Sequence, residues 1–559
     1  MKYRLGLAGI VLLALVFRLW GLGWGLYNAT VSRRPHPDEW VVYWLDRWFS
    51  HNHNLNPCPH PGAHPAAQCF FDWGSVYPDL GYLVRQLTDP LLAIVPSTAF
   101  GHSADPAFVH AVIAGRVTSV IFSTLTVVSV YLFASRAYSL LAGLLAAGAT
   151  AISGLLIQLA HFATPDSTTT FLVTLTLLMA LLASGESSQR LWVAGVTGGL
   201  ALGTEYHMVL LSIPIAVAWL LAERRVFSHL VTAAGAFVAA AVITNIYALL
   251  NWQAWIDAMV HTLDTRTVDS GETYQGRFAP YGPAYLYVIR YPLGYGVGFA
   301  LTAWYLAGVV FGFVRRRKPE IILLSWLVPY FILVSISSAK FMRYSAPLIP
   351  GLAILSGALL ASLLQSGQSR VRIGAIVLAT AAVLWTGSYD GAYVGLFAST
   401  DTRLAETTWL KHHVPLHSQV AFEMLPNGLF NLPYFVSSAG YQPCVTEFRS
   451  ADLAGPMRYV VTDEYSLEDH HLFSNARVLR FKSALAADPR YTLIHEVHYV
   501  PTLFGLTFPI DGSPHDWRYP AHLIETYRSN ARVRSAATPC FATLAAAIHA
   551  LYVPPEPIG

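Results

Sequence analysis

The chain has 559 residues, of which 54% are hydrophobic and only 12% are Asp, Glu, Lys or Arg. Soluble proteins carry about 25% charged residues, so this composition is typical of a polytopic membrane protein and excludes an intrinsically disordered chain. The formal net charge of +3 is too small for a nucleic-acid-binding protein. Apolar residues fill positions 1–397 and then thin out, which predicts a transmembrane domain at 1–397 and a soluble domain at 398–559.

The transmembrane domain is predicted to contain about 11 helices, because a bilayer crossing needs about 20 mostly apolar residues. The candidate spans are 5–26, 108–134, 139–159, 167–184, 190–204, 206–222, 228–250, 284–314, 320–338, 344–365 and 371–397. The loops on one side contain twelve Lys and Arg residues, whereas the short loops on the other side contain only Lys340 and Arg343. The positive-inside rule therefore predicts a cytoplasmic N-terminus and an extracytoplasmic C-terminal domain.

The longest loop of this domain, 27–107, follows the first span on the outer face. A structureless loop of this length is improbable, so we expect helices that lie along the membrane surface. The loop opens with His36-Pro37-Asp38-Glu39, and its prolines place both acids in the first turn of a helix. The helix dipole favours negative charge there, which is a sufficient structural explanation. A carboxylate at this face would equally suit general-base chemistry.

Aromatic residues are dense in the rest of the loop, and they include Trp73, Tyr77 and Tyr82. Such residues serve as membrane anchors, and they also suit a groove for a lipid carrier or a sugar ring. The loop is rich in histidine, but the spacings match no tetrahedral metal site. We therefore predict no metal site from them.

All four cysteines fall in segments assigned to the outer face, where an oxidising compartment permits disulfides. The preferred pairing is Cys58 with Cys69 and Cys444 with Cys540. Four cysteines allow three pairings, and four free thiols remain the alternative.

A second acidic site occurs between the third and fourth spans, in the sequence from His161 to Phe171. Asp166 opens the next helix, and helix capping alone would explain it. However, it lies at the same predicted membrane face as Asp38. Two carboxylates from distant positions suit a reaction in which one is a base and the other positions an acceptor or a divalent cation.

A basic segment at the outer end of the ninth span contains Lys340, Arg343 and Tyr344. Lysine and arginine often extend from a span end to the membrane interface, which would explain both cations. A phosphate at this surface would also bind such a pair, because the arginine guanidinium offers two donors in a fork.

These three motifs together resemble those of the superfamily of protein O-mannosyltransferases and lipid A aminoarabinose transferases. The resemblance rests on the His36-Pro37-Asp38-Glu39 string, on the Asp166 turn and on Arg343-Tyr344 followed by prolines. It covers roughly residues 1–397 and identifies a glycosyltransferase 39-like member of the GT-C fold, with a C-terminal soluble α/β domain on the outer face.

The resemblance implies an inverting transferase that takes a sugar from a polyprenyl-phosphate donor, with Asp38 as the base on the acceptor hydroxyl. Glu39 and Asp166 complete the implied catalytic acids, and Lys340, Arg343 and Tyr344 would bind the donor phosphate. The acceptor is a glycan, a lipid or a protein, and we favour a glycan or lipid in a bacterial-type plasma membrane. No cofactor is required, although Asp38 and Asp166 would accommodate a divalent cation. The implied substrate groove consists of His36, Trp73, Tyr77, Tyr82, His161, Glu205 and His207.

One departure from the resemblance concerns Glu205: many relatives carry a lysine there, so an acid replaces a possible phosphate-facing cation. Residues 398–559 alternate polar helical stretches with short apolar runs, which predicts a small α/β domain. This domain either covers the site and recognises the acceptor or is purely structural. A lipid or glycan transporter is the alternative function, but no internal repeat of the kind common in transporters is visible.

Overall fold

The computed structural model describes residues 2–30, 34–59, 68–185, 188–267, 284–337, 340–423, 439–446, 458–463, 483–510, 512–514 and 516–530. The helices of the N-terminal half are α1 (Lys2–Leu19), α2 (Glu39–Asn52), α3 (Val76–Leu92), α4 (Pro106–Ala137), α5 (Leu140–Ala151), α6 (Gly154–Ala160), α7 (Asp166–Ala183), α8 (Leu191–Leu202), α9 (Ser212–Leu221), α10 (Phe227–Thr244), α11 (Ile246–Leu250) and α12 (Trp252–Thr267). The later helices are α13 (Ala284–Val288), α14 (Phe299–Arg315), α15 (Lys318–Ile336), α16 (Ile349–Leu364), α17 (Ser369–Phe397) and α18 (Thr402–His413).

Six of the described helices are long and apolar enough to cross a bilayer, or seven if α5 and α6, which meet at a 58° bend, form one span. These are α4, α7, α10, α15, α17 and α16 with the turn before it. The apolar helical stretches Tyr206–Leu221 and Phe299–Arg315 are shorter. A polytopic helical membrane domain is therefore confirmed, whereas the count of 11 spans remains a prediction.

Two predicted spans are interrupted in the structure. The first helix ends at Leu19 because the chain turns at Gly21 and Gly25, whose φ angles of +84° and +71° favour glycine. The predicted span 284–314 is divided by a π-helical turn that contains Pro292, since proline removes a backbone donor.

The long helix α4 organises the bundle, because α3, α5 and α7 all pack against it. The surface helix α2 also contacts α4, so the first loop is part of the packed structure. The first loop also contacts the bundle at Gly74, whose N–H donates to the Thr204 carbonyl at 3.0 Å. These contacts bring the first loop against the ends of several membrane helices.

The C-terminal domain contains a five-stranded mixed sheet, as the predicted α/β class requires. Its strands are β1 (Gln419–Glu423), β2 (Gln442–Thr446), β3 (Tyr459–Asp463), β4 (Tyr491–Val497) and β7 (Ile524–Ser529), and a hairpin is formed by β5 (Thr502–Leu503) and β6 (Leu506–Thr507). The strand order is β2-β1-β3-β7-β4, in which β1 runs parallel to β2 and β3 while β7 is antiparallel to β3 and β4. Helix α18 packs on this sheet.

Candidate active site

Asp38 lies at the start of α2 and faces the membrane bundle. Among the described residues its side chain makes no helix-capping hydrogen bond, so capping does not explain it. Its carboxylate instead forms an ion pair with Arg343, although the two residues are 305 positions apart. The side chain of Asp38 is 26% exposed, which leaves the carboxylate accessible. The backbone N–H of Asp38 donates to Nδ1 of His36 at 3.2 Å, which fixes the entry to the helix.

The Arg343 guanidinium is held between two aromatic rings on the 3₁₀ turn Met342–Leu348. Its central carbon is 5.1 Å from the ring of Phe341 and 5.5 Å from that of Tyr344. The hydroxyl of Tyr330 donates to the Tyr344 carbonyl at 2.9 Å and ties this turn to α15. Aromatic faces attract a cation, so the guanidinium is oriented before any substrate binds.

The electrostatic setting keeps Asp38 ionised and His36 neutral. Burial alone would raise the pKa of Asp38, but the charge of Arg343 and its hydrogen bond hold that pKa below its ordinary value. Burial lowers the pKa of His36 to about 3, and the Arg343 charge acts in the same direction. At neutral pH the site therefore contains a carboxylate, a guanidinium and an uncharged imidazole.

Asp166 is the first residue of α7 and is only 8% exposed. It interacts electrostatically with both Arg343 and Asp38. The structure thus brings together two acidic motifs and one basic motif that the sequence analysis singled out separately. Two carboxylates interact electrostatically with one guanidinium, which is an arrangement suited to a substrate with an anionic group and a reacting hydroxyl.

Glu39 is fully buried and is saturated by hydrogen bonds. Nε and Nη2 of Arg116 donate to its two oxygens at 2.7 and 3.0 Å. The backbone N–H groups of His36 and Ala163 donate at 3.3 and 3.1 Å. These hydrogen bonds give Glu39 a structural role that joins the first loop, α4 and the turn before α7, whereas its catalytic role stays a prediction.

Lys340 is placed differently from Arg343. Its ammonium donates to the carbonyls of Ser335 and Ser337 at 3.1 and 2.7 Å, which lie at the C-terminal end of α15. Carbonyl groups at that position lack partners within the helix. Two of its three N–H donors are therefore already used in capping, and the binding of a phosphate by Lys340 and Arg343 stays a prediction.

The predicted groove residues divide into two groups. Glu205 and His207 are partly exposed, and the Nε2 atom of His207 is 3.1 Å from the hydroxyl of Tyr330. Tyr330 interacts electrostatically with both Glu205 and Asp166, so Glu205 and His207 lie at the edge of the same site. Trp73 is partly exposed, and its carbonyl accepts a hydrogen bond from Tyr206 at 3.3 Å.

Three further predicted groove residues, Tyr77, Tyr82 and His161, pack against other side chains, and their contact with a substrate stays a prediction. Tyr77 is fully buried, and its hydroxyl donates to the Gly115 carbonyl at 3.1 Å. His161 is 1% exposed and stacks on Phe397. The ring of Tyr82 packs edge-on against Phe49, 5.7 Å away. Burial within the protein accounts for Tyr77 and His161, whereas Tyr82 is partly exposed.

Among the described residues, no three His, Cys, Asp or Glu side chains are arranged to hold a metal ion. A cation between Asp38 and Asp166 would compete with the guanidinium of Arg343. Cys58 and Cys69 form a disulfide within the first loop. Cys540 lies outside the described residues, so its pairing with Cys444 stays a prediction.

The sequence analysis considered that the C-terminal domain covers the site, but it named no residue of that domain as part of the site. Tyr519 is 7% exposed, its ring lies 4.6 Å from that of His36, and it interacts electrostatically with Arg343. Asp516 accepts a hydrogen bond from the backbone N–H of Met342 at 2.6 Å. The available signal was the aromatic cluster around Trp517 within an otherwise polar tail.

The described helices form a polytopic membrane protein, and the comparison with solved structures assigns it the GT-C fold. The sequence model of the family described as dolichyl-phosphate-mannose-protein mannosyltransferase matches residues 108–248. The apo oligosaccharyltransferase from Archaeoglobus fulgidus is 14% identical, with a TM-score of 0.50 over 92% of this chain and 75% of that one. The resemblance stated from the three motifs is therefore confirmed at the level of the GT-C fold.

The chain is also similar to two crystal structures of ArnT from Cupriavidus metallidurans, each at 12% identity. The apo form aligns with a TM-score of 0.49 over 93% of this chain and 97% of that chain. The form bound to undecaprenyl phosphate aligns with a TM-score of 0.48 over 94% and 98%. No curated protein matches the sequence.

Proposed function

We propose that this protein is a glycosyltransferase that moves a sugar from a polyprenyl-phosphate donor to an acceptor hydroxyl. The observation that carries the proposal is the Asp38–Arg343 ion pair beside Asp166 at one end of the membrane bundle. This site offers a base and a phosphate-binding cation within one cluster. The family match over 108–248, whose description names a dolichyl phosphate donor, supports a lipid phosphate as the leaving group.

In the proposed reaction, Asp38 accepts the proton of the acceptor hydroxyl while the acceptor oxygen forms a bond to the anomeric carbon. The bond between that carbon and the phosphate oxygen breaks, and the polyprenyl phosphate leaves with the electron pair. Arg343 stabilises the charge that grows on the leaving phosphate. A single displacement of this kind inverts the anomeric configuration, whereas a double displacement would need a carboxylate nucleophile.

Donor binding would also activate the base. Before substrate binds, Arg343 holds the pKa of Asp38 below its ordinary value and makes the carboxylate a weak base. When the donor phosphate takes the guanidinium, Asp38 loses this partner and its proton affinity rises. The acceptor is then deprotonated only when the donor is present. Asp166 remains in reach of the acceptor and positions it.

The structure is compatible with several acceptors, and the sugar is a hexose or a pentose. A glycan or lipid acceptor is our first choice, and the name of the matched family favours mannose transfer to a protein as the second. We place the site and the C-terminal domain on the extracytoplasmic side of a bacterial-type plasma membrane, with the N-terminus in the cytoplasm. The Cys58–Cys69 disulfide on this side supports that orientation.

The test is sugar transfer by purified protein from a panel of radiolabelled polyprenyl-phosphate sugars. Asp38→Asn should lower transfer by at least about 100-fold, because general-base catalysis contributes typically 10² to 10⁴. Asp105→Asn is the matched control, since Asp105 caps α4 and asparagine is an equally good cap. Transfer by a folded Asp38→Asn protein at the wild-type rate would remove Asp38 from the base role. No transfer from any donor by the wild-type protein would contradict the proposed function.

A further inference from the structure

A segment of the C-terminal domain leaves its own sheet and packs into the membrane bundle. After β6, the described residues between Phe508 and His522 contribute several buried side chains to the main hydrophobic core of the bundle. Trp517 is fully buried, and its ring stacks on Tyr393 at 4.1 Å. Its Nε1 donates to the hydroxyl of Tyr389 at 2.8 Å. This segment is therefore anchored to α17 rather than to the sheet from which it comes.

The backbone of the same segment is tied to α6 and α17. Nε2 of Gln158 donates to the carbonyl of Asp516 at 2.7 Å, and the hydroxyl of Tyr393 donates to the carbonyl of Trp517 at 2.7 Å. Both donors are buried, and a buried hydrogen bond that loses its partner is costly. The position of Asp516 is consequently fixed relative to the bundle.

Asp516 also contacts the turn that carries Arg343, so the fixed position of Asp516 determines where that turn lies. One oxygen of its carboxylate accepts the backbone N–H of Met342, the first residue of the 3₁₀ turn. The first N–H groups of a helical turn have no partner inside the turn, so a carboxylate there determines where the turn begins. Arg343 is the next residue along the chain. The start of its turn is thus set by a residue 174 positions away.

Tyr519, three residues after Asp516, contacts the other half of the site. Its ring lies 4.6 Å from that of His36 and 5.7 Å from that of Phe162. His36 in turn accepts the N–H of Asp38. One short segment therefore contacts both the residue that orients the base and the turn that presents the guanidinium.

We infer that residues 516–519, which we call the positioning segment, set the geometry between Asp38 and Arg343. Asp516 is a positioning residue that acts through the Met342 N–H, and Tyr519 acts through His36. The C-terminal domain therefore helps to assemble the site, through the segment that packs into the membrane bundle. The kinetic consequence rests on the proposed function, whereas the structural consequence does not.

The test compares Asp516→Ala with Asp516→Asn in the full-length protein. Hydrogen exchange, read by mass spectrometry on peptides covering 340–348, should accelerate by about tenfold in Asp516→Ala because the Met342 N–H loses its acceptor. The donor KM should rise by about tenfold while thermal stability changes little. Asp516→Asn keeps an acceptor oxygen and should stay within about threefold of the wild type in both measurements. Asp105→Asn, at the N-cap of α4, is again the control and should change neither measurement.

Each outcome has a separate meaning. Unchanged exchange in Asp516→Ala would overturn the inference, and so would faster exchange with an unchanged donor KM. If Asp516→Ala does not fold, Tyr519→Leu replaces it, and Tyr519→Phe should restore the donor KM because the ring against His36 is retained. Failure of the wild-type protein to transfer any sugar would contradict the proposed function, and the exchange measurement would still decide whether the segment anchors the turn.

Discussion

The buried ion pair between Glu39 and Arg116 allows a sharp test of how the site is held together. Both side chains are fully buried. Glu39 accepts from Arg116 and from two backbone N–H groups, and Arg116 also donates to the carbonyls of Leu22 and Trp24 at 2.6 and 2.8 Å. Glu39→Ala would leave a buried guanidinium without its counterion. Removing one partner of such a pair costs about 3–5 kcal/mol.

The free energy of unfolding should be measured in detergent by denaturant titration. Glu39→Gln keeps the shape and one acceptor oxygen, so we expect a smaller loss of about 1–3 kcal/mol. The double variant Glu39→Gln with Arg116→Met should be more stable than the sum of the two single losses predicts. The coupling in this cycle should be at least about 1 kcal/mol, since the residues are in direct contact.

Activity separates the structural role of Glu39 from a catalytic one. If Glu39 is structural, Glu39→Gln retains transfer in proportion to the folded fraction, and the pH dependence of the reaction is unchanged. A Glu39→Gln protein with wild-type stability and no transfer would refute the reasoning and return Glu39 to the catalytic acids.

Three further perturbations follow from the site geometry. The pKa of His36 is lowered from 6.5 to about 3, so protonation of the unfolded state costs stability as pH falls below 6.5. The loss amounts to about 2 kcal/mol at pH 5. His36→Asn should remove this component of the pH dependence in thermal unfolding scans. Lys340→Met should leave the donor KM within about twofold of the wild type. Arg343→Met should raise the donor KM by about tenfold or more, because one hydrogen bond to a charged group contributes about 1.5–3 kcal/mol. Equal effects of the two variants on the donor KM would contradict the capping role of Lys340. A Cβ on Gly74 would clash with the backbone carbonyl oxygen of Gly203, so Gly74→Ala should destabilise by about 1–3 kcal/mol in denaturant titration. Gly81→Ala should not, because a Cβ on Gly81 meets nothing within 4 Å.

Sequence alone was sufficient for the class of protein, and it singled out three motifs that the structure places close together. Composition and apolar run length depend only on the residues present, and they correctly indicate a helical membrane domain followed by an α/β domain. The three motifs were recognisable because Asp38, Asp166 and Arg343 each stand at the beginning of a helical turn, where local sequence signals are strong. The number of spans was less accessible, since Gly21 and Pro292 break apolar runs that hydropathy reads as continuous.

Only the tertiary structure decided what each neighbouring residue does. Glu39 adjoins Asp38 in the sequence, yet helical geometry turns successive side chains to different faces, so one meets Arg116 in the core and the other meets Arg343 at the site. The density of aromatic residues around Tyr77 predicts a groove, whereas the structure shows that the Tyr77 side chain is buried. Asp516 gave no signal of its role, because its partner is a backbone N–H, which every non-proline residue possesses. Local patterns therefore identify groups that are able to react, whereas long-range packing determines which of them meet.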